Sequence, residues 1–262
     1  MRSEPIDLNT INNNNLADSL ARMQTQIPPG AVLLDKTLLP SRGKFYPGDI
    51  YIKKLTTLNI KNLATIDEKN IQGVINGVLQ SCIFGIDTPK ILVGDKIWLI
   101  FYLRAYTYDD LPYRLRGECE NCSTVANYEY HIKDLDVAYL DKELDEEVTI
   151  GEDKITIKFP DISCENAAIK LKTNDQIVED IIADLLDLST YIYKINGKEI
   201  SLLNAYNYIC HMDAFSFSKL TNLLSDYIFT AKPYAKFKCP TCGEEVILPV
   251  TFLPQFFLPK IQ

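Results

Sequence analysis

Four cysteines in two pairs are the residues whose types and spacing can do chemistry: Cys119-Glu-Asn-Cys122 and Cys239-Pro-Thr-Cys242. Two residues between thiols let one tight turn aim both sulfurs at the same point, the spacing of a metal knuckle. The flanks agree. YRLRGECENCSTVANYEYHI and YAKFKCPTCGEEVILPVTF each read as strand, thiol turn, strand. Val246, Leu248, Val250 and Phe252 follow the second pair in strict period two. Gly243 stands where a knuckle turn calls for positive φ. Two such hairpins face to face would set four sulfurs at the corners of a tetrahedron, so the expected cofactor is Zn2+ on Cys119, Cys122, Cys239 and Cys242, in a zinc ribbon.

Other uses of the thiols fit less well. A redox CxxC needs a helix after its first cysteine to lower that pKa, whereas alternating strands follow both pairs. Disulfides are disfavoured in a reducing compartment, and an iron–sulfur cluster is a further use of four cysteines. Four sulfur ligands leave no place for water or substrate, so the zinc is expected to be structural and not hydrolytic. Cys82 in VLQSCIF and Cys210 in YNYICHM read as buried helix faces, and Cys164 stands alone. His131 and His211 are the only histidines, and His131, at the end of the first hairpin, reads as a surface residue.

The elements that must position these thiols lie far apart. The pairs are separated by residues 123–238, 116 residues, far more than a ribbon needs. The metal would join two distant hairpins, and the chain between them becomes an insertion pinned at both ends. The expected fold class is therefore α+β: a helical N-terminal part, a split zinc ribbon of two CxxC β-hairpins, and a mixed α/β insertion. The expected divisions are a flexible N-terminal arm (1–30), a basic loop and helical domain (31–112), the ribbon (113–132 with 233–252), the insertion (133–232) and an apolar tail (253–262).

Within that frame, Leu16–Met23 can form a short helix, in an arm that either orders on a partner or is a disordered tail. Helices are predicted at Ile60–Thr65, from Asp67 as N-cap to an end at Gly85, and from Gly94-Asp95 as cap through Leu103. In the insertion, hairpins are predicted around Gly151–Lys154 and Asn196-Gly197, and helices over Glu165–Leu171, Asp175–Leu188, Ser201–His211 and Ser216–Phe229. The prolines of FLPQFFLPKIQ exclude a helix there, so the tail either tucks against the protein or docks on a neighbour.

Composition narrows the function classes. The 262 residues are 47% hydrophobic and 24% charged, as in folded proteins. No apolar run reaches the about 18 residues of a membrane helix, and the N-terminus lacks the apolar core of a secretory signal, so synthesis and folding in a cytoplasm are expected. The net charge of −8 is uneven: residues 1–112 carry +1, the two CxxC hairpins 0, residues 132–231 carry −10, and Lys260 adds +1. No basic face for nucleic acid is evident, and an acidic segment favours a basic protein partner. No GxSxG, P-loop, HExxH or GxGxxG after a strand is present, so the chain is not expected to be an enzyme and no small-molecule substrate is implied.

The most basic stretch is TLLPSRGKFYPGDIYIKKL, where Pro40, Gly43 and Pro47 brace a loop carrying Arg42, Lys44, Phe45 and Tyr46. It reads either as a docking loop, with these four as partner-binding residues, or as a proline-braced turn packed by Phe45 and Tyr46. The loop Leu39-Pro40-Ser41-x-Gly43-x-Phe45-Tyr46-Pro47, then Gly94-Asp95, the aromatic helix ending Leu103-Arg104, and the first CxxC together resemble the baseplate hub proteins of T-even-type contractile-tailed bacteriophages. The resemblance covers residues 38–131, and the second CxxC hairpin fits it. It implies a virion component or assembly factor of the tail baseplate without enzymatic activity, contacting other phage tail and baseplate proteins; charge and hydropathy make neither nucleic acid nor membrane an expected partner. The competing expectations are a tail-assembly chaperone absent from the finished particle and a zinc-ribbon nucleic-acid-binding factor.

Overall fold

A computed structural model of the chain describes residues 27–67, 69–173 and 181–259. The N-terminal part opens with β1 (Val32–Leu34), β2 (Ile50–Ile52), α1 (Thr57–Leu63), α2 (Ile71–Cys82), β3 (Ile83–Phe84) and α3 (Val93–Thr107). The three strands form one antiparallel sheet in the order β1-β2-β3. A capping box starts α1: the Thr56 hydroxyl accepts from Asn59 N–H, and the Asn59 side chain accepts from Thr56 N–H. In α2 the stripe Ile75, Val78, Leu79 and Cys82 is buried, as its helical spacing requires. The helix α3 is different in kind. Trp98, Leu99, Ile100, Phe101 and Leu103 are all buried, so it is wrapped on most sides.

Two cap expectations are corrected here. Asp67 does not cap α2. Its carboxylate accepts from the N–H groups of Lys69 and Asn70, making a turn before the helix, and Asn70 is the N-cap. The helix stops at Cys82, short of Gly85. Nor do Gly94 and Asp95 cap α3, whose N-cap is Leu92. Gly94 is needed for close approach: a Cβ there would lie 2.3 Å from the Phe229 carbonyl oxygen. Asp95 turns inward.

The chain continues through β4 (Tyr113–Glu118), β5 (Val125–Tyr130), β6 (Val137–Ala138), β7 (Glu147–Ile150), β8 (Asp153–Ile157), α4 (Ile162–Lys172) and α5 (Ala183–Ser189). It ends with β9 (Ile192–Ile195), β10 (Lys198–Glu199), α6 (Leu202–Cys210), α7 (Ala214–Ser225), β11 (Thr230–Ala231), β12 (Tyr234–Lys238), β13 (Glu245–Pro249) and α8 (Pro254–Phe257). The architecture is thus mixed: eight α-helices and several small antiparallel sheets among the described residues. The insertion carries a four-stranded sheet in the order β10-β9-β8-β7, with both predicted turns, at Gly151 and at Asn196-Gly197. Asp161, Ser201 and Asp213 cap α4, α6 and α7 through their side chains. The helix expected over Asp175–Leu188 is described only from Ala183, since residues 174–180 lie outside the described residues, as does the arm helix Leu16–Met23.

The main core is shared. It joins Leu39, Ile52, Leu79 and Leu103 of the N-terminal part to Ile155, Ile157, Leu220 and Phe229 of the insertion. A buried ion pair, Lys96 to Glu165 at 2.5 Å, ties α3 to α4, with Gln72 as a second acceptor for the ammonium. Two further expectations change. Cys210 is exposed, because Ala205, Tyr206 and Ile209 form the inward face of α6 and the helix ends at Cys210. The C-terminal segment does form one helical turn, α8, because Pro254 sits in its first turn, where no N–H is required. Phe256 and Phe257 are buried, and their carbonyls accept from Arg104 Nε and the Tyr108 hydroxyl, both at 2.7 Å. The tail tucks against the protein's own body.

Candidate metal centre

Each cysteine pair sits in the turn of an antiparallel hairpin, β4–β5 and β12–β13. The two turns share one backbone pattern. Cys119 N–H donates to the Thr124 carbonyl and Ser123 N–H to the Cys119 carbonyl; Cys239 N–H donates to the Glu244 carbonyl and Gly243 N–H to the Cys239 carbonyl. The residue after the second thiol has positive φ in both, +54° at Ser123 and +75° at Gly243. The hairpins meet so that Cys119 Sγ lies 3.6 Å from Cys242 Sγ and Cys122 Sγ lies 3.6 Å from Cys239 Sγ. All four sulfurs lie within 4.8 Å of one another.

This geometry could hold a metal ion. A disulfide would bring two sulfurs to about 2.05 Å, whereas all seven thiols are free. A tetrahedral ion with metal–sulfur bonds of about 2.3 Å sets its ligands about 3.8 Å apart, close to the separations found. Cys119 and Cys239 are buried, while Cys122 and Cys242 face outward. The Thr124 hydroxyl donates to the Thr241 hydroxyl at 3.1 Å, a bond between the knuckles that spacing alone does not reveal. The donor set fits an ion that prefers thiolate. N–H groups of Cys242 and Thr241 favour the Cys239 thiolate and bring its pKa down to about 6, and the N–H of Glu244 leads in lowering Cys242. At Cys119 the Cys122 N–H also favours the thiolate, but desolvation and the nearby Cys242 and Cys239 sulfurs prevail and push it up to about 11.

The left-handed position gives a small prediction. Ser123 bears a Cβ where its counterpart is glycine, at a cost of about 1 kcal/mol. Ser123→Gly is expected to stabilise the metal-loaded protein by about 0.5–1 kcal/mol. A urea midpoint that falls would show that the serine side chain outweighs the strain.

The structure places the four loop residues unequally. Lys44 and Phe45 are exposed, Phe45 standing edge-on to Phe159 at 5.1 Å. Arg42 is exposed but lies flat over Tyr139, 3.6 Å from the ring centre. Tyr46, expected among the partner-binding residues, is 5% exposed and lies beneath the loop. Its hydroxyl donates to Asp95 Oδ2 at 2.7 Å and accepts from Leu92 N–H at 3.0 Å, so it anchors the loop from below. Asp95 also accepts from Ser41 N–H at 2.8 Å. That anchor was hidden in the sequence, where Asp95 reads as a helix cap.

Fold and site together define a class: a protein of mixed helices and small antiparallel sheets in which two hairpins from distant parts of the chain gather four cysteines able to hold a metal ion. Its family follows from comparison with known proteins. The model of the T4 bacteriophage base plate protein family matches residues 36–258, and the chain belongs to that family. No curated protein and no solved structure matches it. Membership implies a structural role in the tail baseplate and contact with other phage tail proteins. Among the described residues, no helix is long and apolar enough to cross a membrane.

Proposed function

We propose that this chain is a non-enzymatic structural subunit of the hub region of a contractile-tail baseplate, closed by a structural zinc on Cys119, Cys122, Cys239 and Cys242 in a split ribbon. The observation that carries the reading is the span of the family match, residues 36–258, which takes in the braced loop and both cysteine pairs. The four-sulfur cluster supports the zinc, because sulfur-only sites of this size are structural. Rigidity suits such a role: a subunit held by contacts with its neighbours benefits from a cross-link between residues 117 apart, as Cys122 and Cys239 are. The loop is the docking surface in this reading, with Arg42, Lys44 and Phe45 facing outward and Tyr46 holding them.

Two measurements test it. Mass spectrometry of purified virions should find the chain at a fixed copy number; its absence would point instead to an assembly chaperone. Arg42→Glu with Lys44→Glu should cut incorporation into baseplates at least several-fold while the isolated protein stays folded, despite the lost contact of Arg42 with Tyr139. Unchanged incorporation would remove the loop from the interface.

A further inference from the structure

We propose that Tyr128 is an outer-sphere partner of the metal site, its hydroxyl donating a hydrogen bond to a buried cysteine thiolate, that of Cys119 or Cys239, once an ion is bound. The inference rests on the zinc reading above. Tyr128 lies on β5, and its hydroxyl is buried without any hydrogen-bond partner. A buried phenol left unpaired is costly and calls for an explanation. Its surroundings supply one. The ring stacks on Phe237 of β12 at 4.5 Å and 21°, so both hairpins hold it in place. It shares a small buried cluster with Cys119, Cys239 and Val246.

The idle hydroxyl makes sense as a group waiting for charge. A neutral thiol is a weak acceptor. Four thiolates around a divalent cation carry a net charge of −2, and their sulfurs then become strong acceptors in a dry pocket. Donors behind the ligands offset that charge and hold the ligand orientation, and losing one commonly costs about 10–100-fold in metal affinity.

Tyr128→Phe removes the hydroxyl and keeps the stacked ring. Zinc affinity, measured by competition with a chromophoric chelator, is expected to fall about 10-fold. With Co2+ in place of zinc, the sulfur-to-metal charge-transfer band is expected to move to lower energy, because an unbonded thiolate is richer in electrons. The metal-free variant should melt at the same temperature as the parent or higher, since an orphaned polar group has gone. That opposition of signs separates an outer-sphere donor from a packing residue, which would move both forms alike. Equal zinc affinity and an unmoved cobalt band in the variant would overturn the role of Tyr128 alone. A parent protein that takes up no zinc would overturn the metal reading, and this inference with it.

Discussion

Removing the metal is expected to lower the melting temperature of the chain by about 10–20 °C. The size follows from loop closure. A cross-link that closes a loop of this length, 116 residues between the pairs, removes unfolded-state entropy worth about 5 kcal/mol. In a chain of this size each kcal/mol moves the midpoint by about 2–4 °C. The bases of the hairpins are held in the main core through Tyr113, Tyr130, Ala235 and Val250, so the ion acts on the knuckles. The buried cluster at that end is Cys119, Tyr128, Cys239 and Val246, too small to keep the two knuckles together when the sulfurs carry no ion. The main core should survive, because Trp98, Leu103, Ile155 and Leu220 do not depend on the knuckles. Chelation should therefore loosen the hairpins and broaden the transition, without abolishing folding. Cys239→Ser should reproduce the effect without chelator. Because thiols must lose protons to bind an ion, the staple should weaken as the pH falls. A melting curve unchanged by a strong chelator, with loss of the metal verified by elemental analysis, would sink the stapling idea.

How much of this was legible in the sequence depends on the range of the interaction involved. The hairpins, the cysteine cluster and the turns at Gly151 and Asn196-Gly197 were readable because period-two alternation and turn residues are local signals. The cores of α2 and α3 were readable for the same reason. What failed was residue choice set by contacts across the chain. Gly94 and Asp95 look like a helix start, but each answers to a distant partner: Gly94 to the Phe229 carbonyl, Asp95 to Ser41 and Tyr46. Cys210 sits amid apolar residues yet falls at the outer end of its helix. The tail's prolines argued against a helix, but a single turn can begin at Pro254 when Arg104 and Tyr108 take up the carbonyls that follow. The same limit applied to the candidate site. Tyr128 was visible as one alternating aromatic, and only the fold shows its hydroxyl buried without a partner.

Asp95→Ala is expected to cost about 2–4 kcal/mol and to free the loop from α3. In the folded protein the Asp95 carboxylate is wholly buried and accepts from Ser41 N–H and from the Tyr46 hydroxyl, residues 54 and 49 positions away. Alanine would strand both donors, each worth about 1–3 kcal/mol, and release from burying a charge would return part of that. The charge has its own signature. Burial raises the pKa of Asp95 above the ordinary carboxylate value, with the bonds from Ser41 and Tyr46 opposing. A folded-state pKa above the unfolded one means that folding takes up a proton, so this group adds stability as the pH falls through its folded value, fully by the unfolded value near 3.8. The exposed carboxylates whose pKa values are lowered, Asp35, Asp136 and Asp213, act in the opposite sense, below their unfolded value. Above the unfolded value the stability difference between parent and Asp95→Ala isolates Asp95, and it should widen as the pH falls through the folded value toward 3.8. Urea midpoints across that range, with limited proteolysis of residues 41–47, give the test. Equal midpoints and an equally resistant loop would show that Asp95 holds nothing. If the loop does come free, Lys44 and Phe45 lose their fixed direction without being touched themselves, so baseplate incorporation should fall along with stability. The LPSxGxFYP stretch would then be read in two layers, with Ser41 and Tyr46 as the buried fastening and Lys44 and Phe45 as the face it presents.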